Sequence, residues 1–421
     1  MRKKIFVKAP CLSQSGYGEQ SRFALRALKS REDLWEIFLQ PIPWGQTSWI
    51  WEDTELRRWM DARILDTQLK LQQKSLQPDL SLQISIPNEF QKICPINIGY
   101  TAGIETDRVA PVWLQKGNEM NRVLVVSTHA KNTYINTELQ VADPNTQIKR
   151  PYRMETPVDV VWEATPRGNP EQIENFDPPN DFNFLLCSQI SPRKNFINTI
   201  SWWVEEFIDQ EVGLIVKTNI RGNSRMDREA TYKTFQNILS KYPDRKCKVH
   251  LLHGDLSSGQ MRYLYTHPKV KAMINIAHGE GFGLPLFEAA REALPIVTIG
   301  WSGQMDFLFD KSKAYFQKVD YTLQPVQPEA HWEGVIQPDS MWANADQGSY
   351  KMALRKTFKK WDKAKKTAQE LQEINWARFN ESYLYSNFNE SILQTIKSTT
   401  GEDFGNDSLN IIDDEEVMNY E

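Results

Sequence analysis

Two glutamates, Glu280 and Glu288, frame the stretch of this chain with the densest chemical content, GEGFGLPLFEAAR. Gly279-Glu280-Gly281-Phe282-Gly283 is a glycine-rich turn, and an open turn leaves backbone N–H groups free for a ligand. Leu284-Pro285 opens a helix, because proline is tolerated in the first turn. A helix start carries partial positive charge, and together with free amides it suits a phosphate. Glu280, in the turn, can accept hydrogen bonds from sugar hydroxyls. Glu288, about a turn into the helix, can hold a ribose. A tight turn with a capping glutamate is the plain alternative, and the E-x7-E spacing favours the first reading. A second candidate set lies upstream at Ser191-Pro192-Arg193-Lys194-Asn195, after an apolar run. An arginine fork and a lysine point charge at the mouth of a strand suit a diphosphate. Two surface cations are the alternative. Lys217 ends another apolar run, and His278 stands two residues before Glu280, close enough to touch the same ligand.

These side chains need strands and helices to hold them. Ala272 to Ala277 reads as a buried strand, Leu284 to Glu292 as a helix, and Leu294 to Ile299 as a second strand. Strand, turn, helix and strand form an α/β unit whose ligands sit at the carboxyl ends of the strands. Ser302-Gly303-Gln304 follows the second strand. Lys4 to Lys8 reads as the first strand of the chain. The turn after it holds Gly16 and Gly18, and a helix with Phe23, Leu25 and Leu28 follows. That turn lacks the third glycine of the dinucleotide fingerprint. Further strands are expected at 35–39, 80–84, 96–101, 122–127, 182–187, 213–217, 249–252 and 313–319. Glu105 and Asp107 follow the strand at 96–101, and His129 follows the one at 122–127. Residues 322–347 carry prolines and tryptophans without periodicity and read as loops.

At 421 residues the chain is long enough for two domains. It is 40% hydrophobic and 25% charged with a formal net charge of −4, so no global basic field implies nucleic acid. Cys11, Cys94, Cys187 and Cys247 are widely spaced in or beside apolar runs and read as reduced, buried thiols. The start, MRKKIFVKAP, has no long apolar region behind it, and no stretch approaches the length of a membrane span. The expectation is a cytoplasmic protein. Proline, glycine and asparagine accumulate at 166–180, which reads as a linker. The resulting division is a domain over 1–165, a second over 181–375, a helix over 376–398 and an acidic, structureless tail over 399–421. Lys351 to Lys366 is strongly basic. A solvated helix face is the plain reading of that run, and an anionic partner is the alternative.

The segment around Glu280 closely resembles the signature of retaining nucleotide-sugar glycosyltransferases of the GT-B architecture, the group 1 or family 4 type. The resemblance covers most of residues 95 to 310. It implies an α/β fold of two Rossmann-like domains facing a cleft, with a C-terminal helix crossing back to the first domain. It also implies sugar transfer from a nucleotide-sugar donor, UDP- or GDP-linked, to an acceptor hydroxyl. Glu280 would contact the transferred sugar and Glu288 the nucleotide ribose. Gly16, Gly18, Lys217, His278, Gly279, Gly281, Phe282, Gly283 and Leu284 would line the donor site. Arg193 and Lys194 would bind the diphosphate. Glu105, Asp107 and His129 would lie near the acceptor, in a stretch similar to the family's E-T-D. Where the family usually has an early arginine in the phosphate loop, this chain has Gln189. No cofactor and no metal are implied. The acceptor stays open among glycan, lipid, small molecule, protein and modified DNA. A non-catalytic nucleotide-sugar-binding module, a related epimerase or phosphorylase, and a glycosyltransferase acting on hydroxylated DNA bases are the competing readings.

Overall fold

The computed structural model describes residues 2–142, 148–178 and 180–404. Twelve strands form two six-stranded, all-parallel sheets. The first contains β1 (Lys3–Ala9), β2 (Trp35–Pro41), β3 (Leu80–Ile84), β4 (Ile96–Thr101), β5 (Arg122–Val125) and β6 (Val158–Val160), in the order β2-β1-β3-β4-β5-β6. The second contains β7 (Asn183–Cys187), β8 (Gly213–Thr218), β9 (Lys248–His253), β10 (Val270–Asn275), β11 (Ile296–Ile299) and β12 (Gln317–Val319), in the order β9-β8-β7-β10-β11-β12. Parallel strands need crossover helices, which cover both faces of a sheet, so the strands read as continuous apolar runs. β7 shows this most simply, since all five residues of Asn183–Cys187 are buried.

Alternate residues along each strand feed opposite faces. Phe184, Leu186, Leu214 and Val216 pack outward with Trp203 and Phe207. Leu185, Ile215 and Met273 face the other way, into a cluster that runs on without a break to Val7, Ile37 and Leu82 of the first sheet. The two domains therefore share one apolar core. At their junction Phe282, Phe287, Phe307 and Phe379 contact one another through tilted and edge-to-face rings. A third cluster, around Phe90, Val109, Trp113 and Val123, covers the far face of the first sheet.

The last helix, Glu381–Thr400, returns to the first domain. Phe388 packs on Phe23 and Tyr100, while the Asn389 amide accepts from Trp35 Nε1 and donates to Ala27 O. Among the described residues, no helix or strand lies between Val160 and Asn183. That connection is held by Arg167 and Arg262, which both bind the buried Glu292 carboxylate.

Several expectations change. The basic and terminal helices are three, Gln347–Lys359, Trp361–Arg378 and Glu381–Thr400, with breaks at Lys360 and Asn380 that no proline or glycine marks. The strand expected at 313–319 is split. Lys313–Ala314 pairs back on Phe309–Asp310, and only Gln317–Val319 joins the sheet. Residues 322–347 are not wholly irregular, because Tyr321–Pro325 and Met341–Ala345 form an antiparallel hairpin with Trp342 fully buried. The tail does not begin at 399. The helix continues to Thr400, Lys3 pairs with Glu402, and Phe404 packs on Trp35. The remainder of the expected tail, 405–421, lies outside the described residues.

Candidate active site

In the second sheet β7 and β10 are neighbours, yet the chain leaves β7 toward β8 on one side and β10 toward β11 on the other. Such a switch point opens a crevice at the carboxyl ends of the strands. The two loops that line it carry Arg193 and Lys194 after β7, and Glu280 after β10. They are tied together, because His278 N–H donates to Arg193 O at 2.9 Å and Asn195 Nδ2 donates to Ile276 O at 3.2 Å. Asn195 takes a left-handed conformation, φ 49°, which asparagine tolerates better than most side chains.

Glu280 is 6% exposed and saturated with donors. Lys194 Nζ lies 2.7 Å and 2.6 Å from its two carboxylate oxygens, Asn275 Nδ2 donates at 3.0 Å, and Arg193 Nη1 is 3.4 Å away. Burial alone would raise its pKa. The Lys194 and Arg193 charges outweigh that and hold the carboxyl at about 2. Lys194 does not gain in the same measure. Burial and the neighbouring Arg193 pull its pKa below the ordinary lysine value despite Glu280. Arg193 also donates to Gly279 O at 2.9 Å and pairs with Glu105 of the first domain at 3.2 Å. Ser302, at φ 75°, accepts from Glu280 N–H at 2.9 Å, and its hydroxyl donates to Gln304. These residues buttress the glutamate loop from below.

The glycines of this loop are needed for close approach. A Cβ on Gly279 would sit 2.3 Å from Glu105 O, and one on Gly281 would sit 2.6 Å from Ala102 O. A Cβ on Gly303 would sit 1.9 Å from Gly281 O. The first domain is therefore pressed onto the Glu280 loop, and the crevice is narrow at this point. Gly283, at φ 92°, precedes the helix Leu284–Arg291, with proline in its first turn. Phe282 turns into the aromatic junction between the domains.

Glu288 lines an open interdomain pocket of about 360 Å³. Its wall comes from both domains, with Glu19, Arg22 and Ile50 from the first and Met261, Tyr265 and Arg291 from the second. Tyr265 Oη donates to Glu288 at 2.9 Å. Burial, aided by Glu19, pushes the Glu288 carboxyl up to about 7 against that hydrogen bond. Lys217, next to last in β8, pairs with Cys187, where its charge opposes the upward push that burial gives the thiol. Gly16 and Gly18 lie not in the connecting turn but in the first turn of the helix Gly16–Lys29, capped by Ser15. Gly18 leaves room for Ser13 O, which a Cβ would approach to 1.9 Å, whereas Gly16 meets nothing nearby. Arg22 binds Cys11 O, Ser13 O and Glu19, so it ties its own loop as well as lining the pocket.

Three candidates are placed differently from the rest. His278 turns away from the crevice to stack on Trp342 at 4.6 Å, with Nδ1 2.7 Å from Ala343 O. Asp107 is engaged by the same hairpin. Its carboxylate accepts from Met341 N–H at 2.7 Å, and its own N–H donates to Met341 O at 2.9 Å. His129 contacts Trp301 edge-on at 4.8 Å, and its Nε2 is 3.1 Å from Thr106 O. Burial pushes its pKa down to about 4, so the ring is neutral near pH 7. Tyr265, Asn275 and Glu19 are not marked in the sequence, because a single aromatic, amide or carboxylate on an ordinary helix or strand end carries no spacing signal. In the basic run, Lys351 and Arg355 pair with Glu205 and Glu206. Among the described residues, no group of three or more histidine, cysteine, aspartate or glutamate side chains is arranged to hold a metal. No described helix is long and apolar enough to cross a membrane.

No family model matches the chain, and no curated protein matches it. Solved structures do. Sucrose-phosphate synthase from Thermosynechococcus elongatus superposes with a TM-score of 0.60 at 13% identity, over 94% of this chain and 100% of that one. A glycosyltransferase from Rickettsia africae gives 0.58 at 11% identity, over 94% and 99%. HepE of Anabaena, solved in complex with UDP and glucose, gives 0.55 at 12% identity, over 93% and 99%. At such identities the likeness is one of fold. The chain has the GT-B architecture, two Rossmann-like domains facing a cleft.

Proposed function

We propose that this protein is a retaining glycosyltransferase that moves a sugar from a nucleotide donor to an acceptor hydroxyl. The observation that carries the reading is the buried Glu280, held between Lys194, Arg193 and Asn275 at the switch point of the second sheet. A carboxylate there can accept hydrogen bonds from the hydroxyls of the transferred sugar. The two cations and the Gly279–Gly283 amides can stabilise charge developing on the leaving diphosphate. Lys194 and Arg193 are committed to Glu280 and Glu105 in the ligand-free protein, so the donor must recruit them from those carboxylates. Glu288 and the pocket around it would take the nucleoside, with the ribose hydroxyls on the carboxyl. HepE, similar in fold, was solved with UDP and glucose, which makes a UDP-sugar the first donor to try.

In the reaction the bond between the anomeric carbon and the leaving phosphate oxygen breaks. The acceptor oxygen bonds to that carbon from the same face, and its proton passes to the departing diphosphate. Arg193 and Lys194 supply positive charge at the oxygens where a metal serves in other enzymes, so turnover in chelator is expected. Titration calorimetry with UDP, GDP and ADP tests the nucleotide site. One nucleotide should bind the wild type and bind Glu288→Ala at least about tenfold more weakly, the cost of about 1.4 kcal/mol of lost ribose contact. Equal binding to both proteins would remove Glu288 from the site. The anomeric configuration of the product, read by NMR, tests retention.

A further inference from the structure

The hairpin Tyr321–Pro325/Met341–Ala345 carries a closed loop at its tip, within the stretch 322–347 that reads from sequence as loops. Val326 N–H donates to Ser340 O at 3.0 Å and shuts the neck, in the manner of a compact Ω-loop. The base of the hairpin belongs to the second domain, where Ala343 N–H donates to His278 O and Trp342 stacks on the His278 ring. The tip belongs to the first. Val335 is 6% exposed and sits inside the cluster of Phe90, Val109 and Trp113. Gly334, at φ 70°, approaches so closely that a Cβ would lie 2.8 Å from Asn88 Nδ2, which donates to Gly334 O at 2.9 Å. The Asn88 carbonyl in turn accepts from Trp113 Nε1. Asp107 exchanges two hydrogen bonds with Met341, and Arg108 pairs with Asp339.

The position of this arm gives it a consequence. Ala102 O and Glu105 O lie where a Cβ on Gly281 or Gly279 would sit, so the segment 102–105 packs directly against the Glu280 loop. The next residues of that segment, Asp107 and Arg108, are the ones the arm holds. Pro328–Ala330 of the arm also lies against Pro192–Lys194, the loop that carries both cations. We propose that residues 326–340 are an interdomain latch, anchored on the second domain and plugged into the first. Its release frees segment 102–108 and admits the donor to the Glu280 loop. A conformational change needs a partner that differs in affinity between the two states. Here that partner is the diphosphate, which competes for Arg193 and so for the Arg193–Glu105 link across the cleft. The substrate role of the crevice rests on the proposed function, but the latch itself does not.

Hydrogen exchange on the ligand-free, full-length protein tests this without a substrate. In Val335→Asp, a carboxylate replaces a buried apolar anchor, and amides in 101–108 and 279–283 should exchange at least about tenfold faster, with β1 and β7 unchanged. Unchanged exchange at 101–108, with the arm itself released, overturns the proposal. If β1 also loses protection, Gly334→Ala decides, because it strains the left-handed residue 334 and its approach to Asn88 at the tip without burying a charge. Faster exchange at 101–108 then supports the latch, and exchange equal to wild type overturns it. UDP association measured on the same variants separates the two ideas. A wild type that binds no nucleotide counts against the proposed function, while the exchange data still judge the latch.

Discussion

Replacing Lys194 with methionine removes the cation that both Glu280 oxygens contact, and the consequence can be worked out from the pair. Glu280 is held at about 2 instead of the ordinary 4.5, a difference worth about 3 kcal/mol. Its folded value is depressed, so that contribution is present above pH 4.5 and is lost as pH falls through about 2. Lys194 is also held below its ordinary value, which for a cation disfavours the charged form, because burial and Arg193 outweigh Glu280. The intact pair is therefore a weaker stabiliser than Glu280 alone suggests. Breaking it is a different matter, since a buried carboxylate is left with Asn275 and a more distant Arg193. Losing one partner of a buried pair costs about 3 kcal/mol or more. Lys194→Met should lose about that much at pH 7 in urea denaturation, and its stability should fall less steeply between pH 4.5 and 2. In Lys194→Met/Glu280→Gln most of the loss should return, giving a coupling of at least about 1.5 kcal/mol. Single losses that add to within about 0.5 kcal/mol in the double variant would refute the electrostatic account of this site.

Three further outcomes follow from the same geometry. Glu288 is raised to about 7, so the cost of ionising it accumulates as pH rises from about 4.5 to 7. Glu288→Gln should be more stable than wild type at pH 8 by up to about 3 kcal/mol in urea denaturation, with no gain at pH 4. A Cβ at residue 303 would overlap Gly281 O at 1.9 Å. Gly303→Ala should cost about 1–3 kcal/mol in thermal or urea unfolding through forced backbone shifts, and should weaken nucleotide release with it. His278 serves the hairpin, so His278→Ala should lower stability by about 1 kcal/mol, a Tm shift of only about 1 °C in a chain of 421 residues, while the KM for the donor stays within about twofold. A large rise in KM with Tm unchanged would put His278 back in the donor site.

Most strands of both sheets were readable because parallel strands buried on two faces leave continuous apolar runs, as at 183–187 and 270–275, whereas the three-residue strand Val158–Val160 was not. The Glu280 segment was readable for a different reason. Glycines, a proline-opened helix and two carboxylates at fixed spacing are each demanded by a local contact. Asp107 and His278 have no such local explanation. Both are fixed by Met341–Ala345, a strand whose M-W-A-N-A sequence shows no clear alternation and whose partner lies more than a dozen residues away. The tip of that hairpin, Gly334-Val335, looks like any surface turn until Asn88 and Phe90 are placed beneath it. The helix break at Lys360 was hidden because neither proline nor glycine marks it. The tail start was misplaced because Phe404 has its partner, Trp35, at the opposite end of the chain.

The central claim is that the Glu280 crevice transfers a sugar from a nucleotide. The most direct measurement is nucleotide release from a panel of nucleotide sugars, in chelator and without acceptor, for wild type and Glu280→Ala. Water can replace the acceptor slowly in such a site. Release from one donor by the wild type is expected, with loss of that release, by at least about a hundredfold, in the variant. Release that persists in Glu280→Ala, or a wild type that neither releases nor is stabilised by any nucleotide sugar, would contradict the claim.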